Sequence, residues 1–304
     1  MLEVGPQSKS DNKFVAKHRF HQSKYRCEIL KENFGTGPTV KSEQNYGNML
    51  IKGEKSGSNF ISSVAFKYAI QRTFDKNINN SLTIDNYRLF NNMLSSMPMC
   101  FNLFSDLREL LITDKDACSK LFKSLFKEIS WIASVEYIGV EFIPIPIEQY
   151  TNDKTAFDAV VLVKDGEGKK GIISIETKYT DLLGSNSSKN TAKKDELIGK
   201  YKIFSPETAA NLKKNGYSQI YRNYLLTFAF AKVNKYKNFC NIIISPSEDE
   251  ISKKELLELQ NNLTKNKNSI VKIDLEEFID RGCSSNIGEI RSVYQDLKQR
   301  YTMI

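Results

Sequence analysis

Residues 157–181 read FDAVVLVKDGEGKKGIISIETKYTD, and this stretch predicts a β-hairpin. Its two outer runs, 157–164 and 171–178, are rich in β-branched residues, which favour strands. The polar run DGEGKK at 165–170 lies between them and is typical of a short hairpin connection. The hairpin is therefore the unit from which we predict both the fold and the functional site.

Acidic and basic side chains come together at one end of this hairpin. Glu176 and Lys178 share one face of the second strand, because side chains alternate with period two. A tight turn places Asp158 opposite either Glu176 or Thr177. Like charges in that position repel each other, and a divalent cation between the carboxylates would remove the repulsion. A small number of oxygen ligands suits Mg²⁺, with Mn²⁺ as an alternative ion, and leaves room on the ion for a phosphate.

Lys178 adds a cation to the predicted carboxylate pair. Its ammonium would orient or help to deprotonate an attacking water and stabilise developing negative charge. This chemistry is that of phosphodiester hydrolysis. The spacing alone is a weak signal, because Glu167 and Lys169 repeat it inside the turn. The alternative interpretation is that Glu176 and Lys178 form a salt-bridged strand end.

The rest of the chain predicts an α/β protein. Residues 1–56 are polar and favour loops and short helices, and apolar stripes at helical spacing follow up to about residue 132. Further strands are predicted at 134–147 and 239–245, the latter apolar enough to be central and parallel. The predicted order is helices, then strands, then a crossover helix at 218–234 and another strand. This order indicates an α/β sandwich. The remaining predicted elements are a strand near 269–274 and helices near 251–263 and 286–302.

Composition excludes several classes of protein and of site. The chain has 304 residues, a formal net charge of +8 and no apolar stretch long enough to span a membrane. Its five cysteines form no CxxC pair, and the N-terminus has no apolar leader, which predicts a cytoplasmic protein. Only His18 and His21 could serve a histidine-dependent nucleophile or a zinc site, and no nucleophile motif accompanies them.

Asp158, the Glu176-x-Lys178 motif and the order of elements resemble the PD-(D/E)XK nuclease superfamily. The resemblance implies a restriction-endonuclease-like fold, an αβββαβ core whose mixed sheet is flanked by helices. It implies metal ligation by Asp158 and Glu176, with Thr177 as a further ligand, and Lys178 as the catalytic lysine. Phe157 stands where the family name has proline, at a position that varies widely.

The resemblance extends beyond the hairpin. The string Ile175–Asp181 is similar to one bacterial branch of the superfamily. Three N-terminal motifs resemble the same branch: His21-Gln22-Ser23, Tyr46-Gly47-Asn48 and Asn59-Phe60. The domain organisation that follows is a polar and helical N-terminal region at 1–117 and a nuclease-like catalytic domain at 118–304.

Two further positions are candidates for the active centre. Many such nucleases carry an additional carboxylate, and Glu136 and Glu141 both lie in the predicted strand 134–147. Glu141 is preferred because it lies deeper in the strand, where a lone charge would be costly, although an exposed strand glutamate is the alternative. Gln219 begins the predicted helix 218–234, and in some relatives such a glutamine contacts metal-bound water or phosphate. A simple capping role is the alternative for Gln219.

The positive charge is concentrated downstream of the hairpin. Residues 200–240 contain eight basic residues and one acid, interleaved with tyrosines. Such a segment suits a phosphate backbone, and tyrosines add hydrogen bonds or stacking. The predicted nucleic-acid contacts are Lys213, Lys214, Tyr221, Arg222 and Lys232. A solvated, lysine-rich surface is the alternative.

Together these features predict a Mg²⁺-dependent DNA endonuclease, and the resemblance implies a role in restriction or anti-phage defence. Duplex DNA is the expected substrate, and a homodimer suits an enzyme that cuts both strands. Three alternatives stay open: a repair or exonuclease activity, a non-catalytic nucleic-acid-binding protein, and a helical interaction protein with a structural acidic trio. One fold hosts many activities, so the site must decide between them.

Overall fold

A mixed β-sheet forms the centre of the protein in this computed structural model, which describes residues 2–79, 83–181 and 191–303. Adjacent strands of the sheet are also consecutive in the chain. Its first three strands are antiparallel neighbours, and the last three run parallel. The strands, including a separate two-stranded ribbon, are β1 (Gly35–Thr36), β2 (Asn45–Tyr46), β3 (Ser134–Phe142), β4 (Phe157–Lys164), β5 (Lys170–Thr177), β6 (Asn238–Ser245) and β7 (Ile270–Asp274).

Helices surround this sheet and complete the predicted αβββαβ order, which is confirmed. The helices before the sheet are α1 (Lys13–Tyr25), α2 (Gly53–Ser56), α3 (Ser63–Asn79), α4 (Asn86–Asn91), α5 (Ser96–Thr113) and α6 (Lys115–Leu125). Those that follow β5 are α7 (Ala192–Tyr201), α8 (Pro206–Asn215), α9 (Gln219–Val233), α10 (Glu250–Asn262), α11 (Leu275–Cys283) and α12 (Gly288–Tyr301). Short π and 3₁₀ turns occur at Arg26–Leu30, Ile147–Gln149 and Lys267–Ser269.

The central hairpin has one of its two predicted registers, the one that places Asp158 opposite Glu176. Lys164 pairs with Lys170, and the ladder continues to Ala159 opposite Ile175. The Asp165 carboxylate accepts hydrogen bonds from backbone amides within the turn and so closes it. Every residue of β5 after Lys170 is buried, because β4 and β6 cover its two edges and helices cover both faces.

Two apolar layers enclose the sheet. On one face, α5 and α6 pack on β3, and Ile173 and Ile175 of β5 join that core. On the other face, α9 packs on β5 and β6, and Ile172 joins the second core. The first core contains residues from both sides of position 117, for example Phe104 and Phe122. The division into 1–117 and 118–304 stays a prediction, and a continuous core crosses it.

Several elements differ from the prediction. The strand predicted at 134–147 ends at Phe142, because Pro144 and Pro146 have no amide hydrogen to donate to a ladder. Helix α11 was not predicted, although Leu275, Phe278 and Ile279 have helical spacing and are buried. Helix α1 is longer than the short helices expected for residues 1–56, because tertiary contacts stabilise its polar sequence.

None of the described helices is long and apolar enough to cross a membrane. The five cysteines are all free thiols, and only Cys283 is partly accessible.

Candidate active site

Three acids form one row across the sheet. Val140 pairs with Ala159, and Ala159 pairs with Ile175, so these residues stand side by side on β3, β4 and β5. The next position on each strand, towards the same edge of the sheet, is an acid: Glu141, Asp158 and Glu176. The row exists because β4 runs opposite to its two neighbours, which brings its first residues beside their last ones.

Glu141 has an unusual backbone conformation. Its φ is +53°, in the left-handed region, which costs a residue with a β-carbon of the order of 1–3 kcal/mol. Arg72 of α3 holds this segment by donating to the carbonyl oxygens of Val140 (3.1 Å) and Glu141 (2.7 Å). The Glu141 side chain is only 5 % exposed. The other candidate acid, Glu136, lies elsewhere on β3, where Lys115 and Lys164 bind it.

Helix α9 supplies two amides that hold Glu176. Gln219 and Asn223 are four residues apart and therefore lie on one face of the helix. The Gln219 amide donates to Oε1 of Glu176, and the Asn223 amide donates to Oε2. Glu176 is 2 % exposed, so both of its oxygens are held within the protein. The sequence interpretation placed Gln219 near the site, and the structure places it there.

Lys178 closes the cluster. Its Nζ lies 2.8 Å from Oε1 of Glu176 and donates to Oε1 of Gln219 at 2.9 Å. Lys178 is 6 % exposed, so its charge is largely removed from water. Lys178, Glu176 and Gln219 thus contact one another in a closed triangle.

Asp158 is held by the strand beside it. Its Oδ2 accepts hydrogen bonds from the amide (2.8 Å) and the hydroxyl (3.0 Å) of Thr177. Asp158 is the more accessible of the three acids, since its side chain is partly exposed. The Thr177 hydroxyl is a donor here, so its carbonyl oxygen is the atom better suited to the metal ligation that the family resemblance implies for Thr177.

Burial raises the pKa values of all three acids, and repulsion between neighbouring carboxylates adds to it for Glu141 and Glu176. Burial, and then the charges of Asp158 and Glu176, raise the pKa of Glu141 to about 8. Burial and the Asp158 charge raise the pKa of Glu176 to about 7, against the opposing effect of Lys178. Burial also raises the pKa of Asp158. Burial alone would lower the pKa of Lys178, but the charges of Glu176 and Asp158 raise it, so the ammonium stays charged.

The donor set of this row fits a hard divalent cation. Carboxylate oxygens are the ligands that Mg²⁺ and Mn²⁺ prefer, and a cation would offset the repulsion between Glu141, Asp158 and Glu176. Within residues 2–79, 83–181 and 191–303, however, no three such side chains already enclose a metal position. Glu176 is instead bonded to Lys178, Gln219 and Asn223. These partners use three of the roughly four acceptor positions of the carboxylate, so Oε2 retains one position for a metal ion while Asn223 holds it in place.

A family model of the PD-(D/E)XK nuclease superfamily matches residues 9–303, nearly the whole chain. The chain belongs to the PD-(D/E)XK nuclease superfamily. Membership in this superfamily supports a nuclease function and a nucleic-acid substrate. A comparison with curated proteins gives no match.

The N-terminal motifs of this superfamily member have structural contacts. Gln22 donates to the Tyr179 hydroxyl (2.9 Å) and to the carbonyl oxygen of Arg300 (2.7 Å). Asn59 accepts hydrogen bonds from the buried Arg300 guanidinium. A side chain at Gly47 would lie 2.3 Å from a backbone oxygen. These motifs therefore join α1 and α12 to Tyr179, the residue that follows Lys178.

Two of the predicted nucleic-acid contacts are exposed on the helix that precedes Gln219 in the chain. Lys213 and Lys214 are exposed in the last turn of α8, and only six residues separate Lys213 from Gln219. Lys213 lies 2.9 Å from Asp195, in an exposed ion pair of the kind that contributes little stability. Both ammonium groups are therefore available to a phosphate backbone that approaches the start of α9.

The other three predicted contacts have different surroundings. Tyr221 is 4 % exposed, packs against Phe204 and accepts a hydrogen bond from Asn262, so its ring cannot stack on a base and that assignment was wrong. Arg222 is partly buried and donates to the carbonyl oxygen of Tyr217. Lys232 is exposed at the far end of α9, about 20 Å along the helix from its first residue.

Asn223 was not assigned to the site from the sequence, and it gives a direct test of the geometry. Replacing Asn223 with alanine leaves Oε2 of Glu176 without its donor, so we expect metal affinity or cleavage to fall about 10- to 100-fold. Isothermal titration with Mn²⁺ and initial cleavage rates measure the effect. Asn234→Ala, at the other end of the same helix, is the matched control. Equal metal affinity in wild type and Asn223→Ala would contradict the role of this amide.

Proposed function

We propose that this protein is a divalent-metal-dependent DNA endonuclease acting in cytoplasmic restriction or anti-phage defence. The observation that carries the proposal is the row of Glu141, Asp158 and Glu176, in which both glutamates are buried, with Lys178 beside it. Three acids with raised pKa values are costly for a purely structural role, because they destabilise the ionised site. Superfamily membership supports the nuclease part, and the resemblance of the motifs supports the defence role.

The side chains of the site have separate roles in hydrolysis. Asp158, Glu176 and Glu141, with the carbonyl oxygen of Thr177, would hold a Mg²⁺ or Mn²⁺ ion, which activates water and neutralises phosphate charge when bound. Lys178 carries a positive charge that stabilises the negative charge developing on the phosphoryl oxygens. Gln219 orients Lys178 and Glu176 at once, because it accepts from one and donates to the other.

Charge distribution favours duplex DNA as the substrate. Lys213 and Lys214 are exposed beside the start of α9 and would contact phosphates on either side of the reacting one. Lys232 lies about 20 Å farther along α9, so only an extended nucleic acid would contact all three lysines, and we propose duplex DNA for this role. Two copies of the chain would place two sites on opposite strands, which is why we include a homodimer in the proposal.

Closed circular plasmid provides the test of this function. Because it has no ends, its conversion to nicked or linear forms requires an endonuclease. We expect conversion with Mg²⁺ or Mn²⁺ and none with EDTA. If the protein degrades only linear DNA, the exonuclease or repair alternative is supported instead. Binding without cleavage of any substrate would favour the non-catalytic alternative.

The path of the DNA gives a separate prediction. Neutralising Lys213 and Lys214 together should lower the log–log salt slope of binding by up to about 1.8, since each lost phosphate contact removes about 0.9 on duplex DNA. The measurement is a binding titration at several salt concentrations in Ca²⁺, which supports binding but activates water less well. A slope unchanged from wild type would indicate that DNA binds another face of the protein. The N-terminal basic residues around Lys17 and Lys24 are then the next candidates.

A further inference from the structure

Arg88 brings a guanidinium from the N-terminal helices to the edge of the acidic row. It lies in α4, whose first turn is capped by the Asp85 side chain. Its Nη2 donates to Oδ2 of Asp181 at 2.7 Å, and its Nε donates to the Ser95 hydroxyl at 2.6 Å. Asp181 follows Lys178 by three residues, so the contact joins α4 directly to the end of the catalytic strand.

The same Asp181 oxygen is also bound by α5. The amide (3.0 Å) and the hydroxyl (2.8 Å) of Ser96 both donate to it. Ser96 is the first residue of α5, and its carbonyl oxygen lies 3.5 Å from the Thr177 hydroxyl. The position of Arg88 relative to Thr177 and Lys178 is thus set by a short chain of hydrogen bonds.

The charge of Arg88 acts on the acidic row. It lowers the pKa values of both Glu141 and Asp158, which burial otherwise raises. The guanidinium therefore lies close enough to both carboxylates for its field to be felt, although it bonds to neither of them. Thr177, whose hydroxyl lies against Ser96, also donates to Asp158, so a chain of hydrogen bonds links Arg88 to the row.

Part of the Arg88 guanidinium is unoccupied. Its side chain is 35 % exposed, and in the described part of the chain Nη1 has no hydrogen-bond partner. Arg72, the other arginine beside Glu141, differs in both respects. Its side chain is 16 % exposed, and its three nitrogens donate to Val140, Glu141 and Asp75. Arg72 is thus a structural group, whereas Arg88 has an accessible planar donor edge.

We propose that Arg88 binds a non-bridging phosphate oxygen of the nucleic acid at the acidic row, with Asp181 as its positioning residue. A guanidinium held on one side by a carboxylate presents its other donors in the flat fork that fits phosphate. The inference rests on the proposed nuclease function and deepens it by assigning the substrate's phosphate to a residue outside the D-E-K motif. It also gives the N-terminal helices a part in substrate binding.

The test compares two Arg88 variants with a charge-matched control. Arg88→Met removes the guanidinium, and Arg88→Gln keeps a hydrogen-bond donor for Asp181 while removing the charge. Lys267→Met removes one exposed charge at the opposite end of the sheet, beside the start of β7. Binding of a fluorescently labelled DNA duplex is titrated in Ca²⁺ at several salt concentrations, and cleavage is measured in Mg²⁺. Thermal unfolding checks that each variant is folded.

Both Arg88 variants should bind DNA about 10- to 100-fold more weakly, with a log–log salt slope lower by about 0.9. Lys267→Met should match wild type. A purely structural Arg88 would change the unfolding temperature and leave the slope as in wild type, and that result overturns the inference. If Arg88→Met does not fold, the slope of Arg88→Gln decides in the same way.

The binding assay separates this inference from the proposed function. Cleavage by wild type together with an unchanged slope in the Arg88 variants overturns the inference alone. Binding with a lowered slope in the Arg88 variants, but no cleavage by wild type, supports the phosphate contact and refutes the nuclease. Absence of both binding and cleavage in wild type refutes both.

Discussion

Replacing Lys178 with methionine is expected to reduce DNA cleavage by about a hundred- to ten-thousandfold, which is the range for the loss of a positioned catalytic proton donor or charge. The reason is that Lys178 is the cation that contacts Glu176 directly, at 2.8 Å, in a site almost closed to water. Methionine keeps most of the side-chain volume. Glu176 then takes up a proton readily, since burial and Asp158 already raise its pKa to about 7. The variant should therefore fold.

The chain contains its own control for this experiment. Glu167 and Lys169 repeat the motif spacing in the exposed hairpin turn, where they pair with each other. Lys169→Met should cleave plasmid at the wild-type rate. Comparable initial rates for wild type and Lys178→Met, in samples with matching circular dichroism, would place the chemistry elsewhere in the molecule.

Removing metal should make the stability of the protein fall as the pH rises from about 5 to about 8. The native pKa of Glu141 is about 8, and that of Glu176 is about 7, against ordinary values of 4.5. Between these values the native state holds protons that the unfolded chain has released. The stabilisation is present below pH 4.5 and lost as the pH approaches the native pKa. Each group contributes at most about 1.4 kcal/mol per pH unit.

Added Mg²⁺ should reverse this loss, because it binds the ionised carboxylates. The rise in unfolding temperature on adding Mg²⁺ should therefore be larger at pH 8 than at pH 5. Thermal unfolding in EDTA and in Mg²⁺ over this pH range measures both effects. Glu141→Gln should flatten the pH dependence in EDTA, whereas Glu136→Gln on the same strand should not. A metal effect independent of pH would exclude the acidic row as the binding site.

The sequence alone was sufficient where the determining interactions are local. The β4–β5 hairpin follows from two β-branched runs and a short polar turn, and the structure has one of the two registers predicted for it, from Lys164 to Ala159. Period-two alternation predicted that Glu176 and Lys178 share a face, and in the structure they form an ion pair. Their assignment as catalytic residues stays a proposal, because chemistry depends on more than spacing.

Contacts between distant segments decided the rest. From the sequence, Glu141 was preferred to Glu136 only because it lies deeper in the predicted strand. The structure separates the two acids because Arg72, from a helix far back in the chain, holds Glu141 in a left-handed conformation. No pattern within residues 134–147 specifies that conformation.

Burial was the other property that sequence patterns could not supply. Tyr221 and Asn223 are two positions apart on α9, and both are buried. Tyr221 packs inside the second core, while the Asn223 amide reaches Glu176. Arg88 is 70 residues before Asp158, and it reaches the region of the acidic row because α4 packs on α5, α5 packs on the sheet, and both helices bond to Asp181. The sequence by itself determined the hairpin and its charged motif, since neighbouring residues specify them. Tertiary structure decided which distant side chains surround that motif, because burial and hydrogen bonding there depend on the packing of the whole chain.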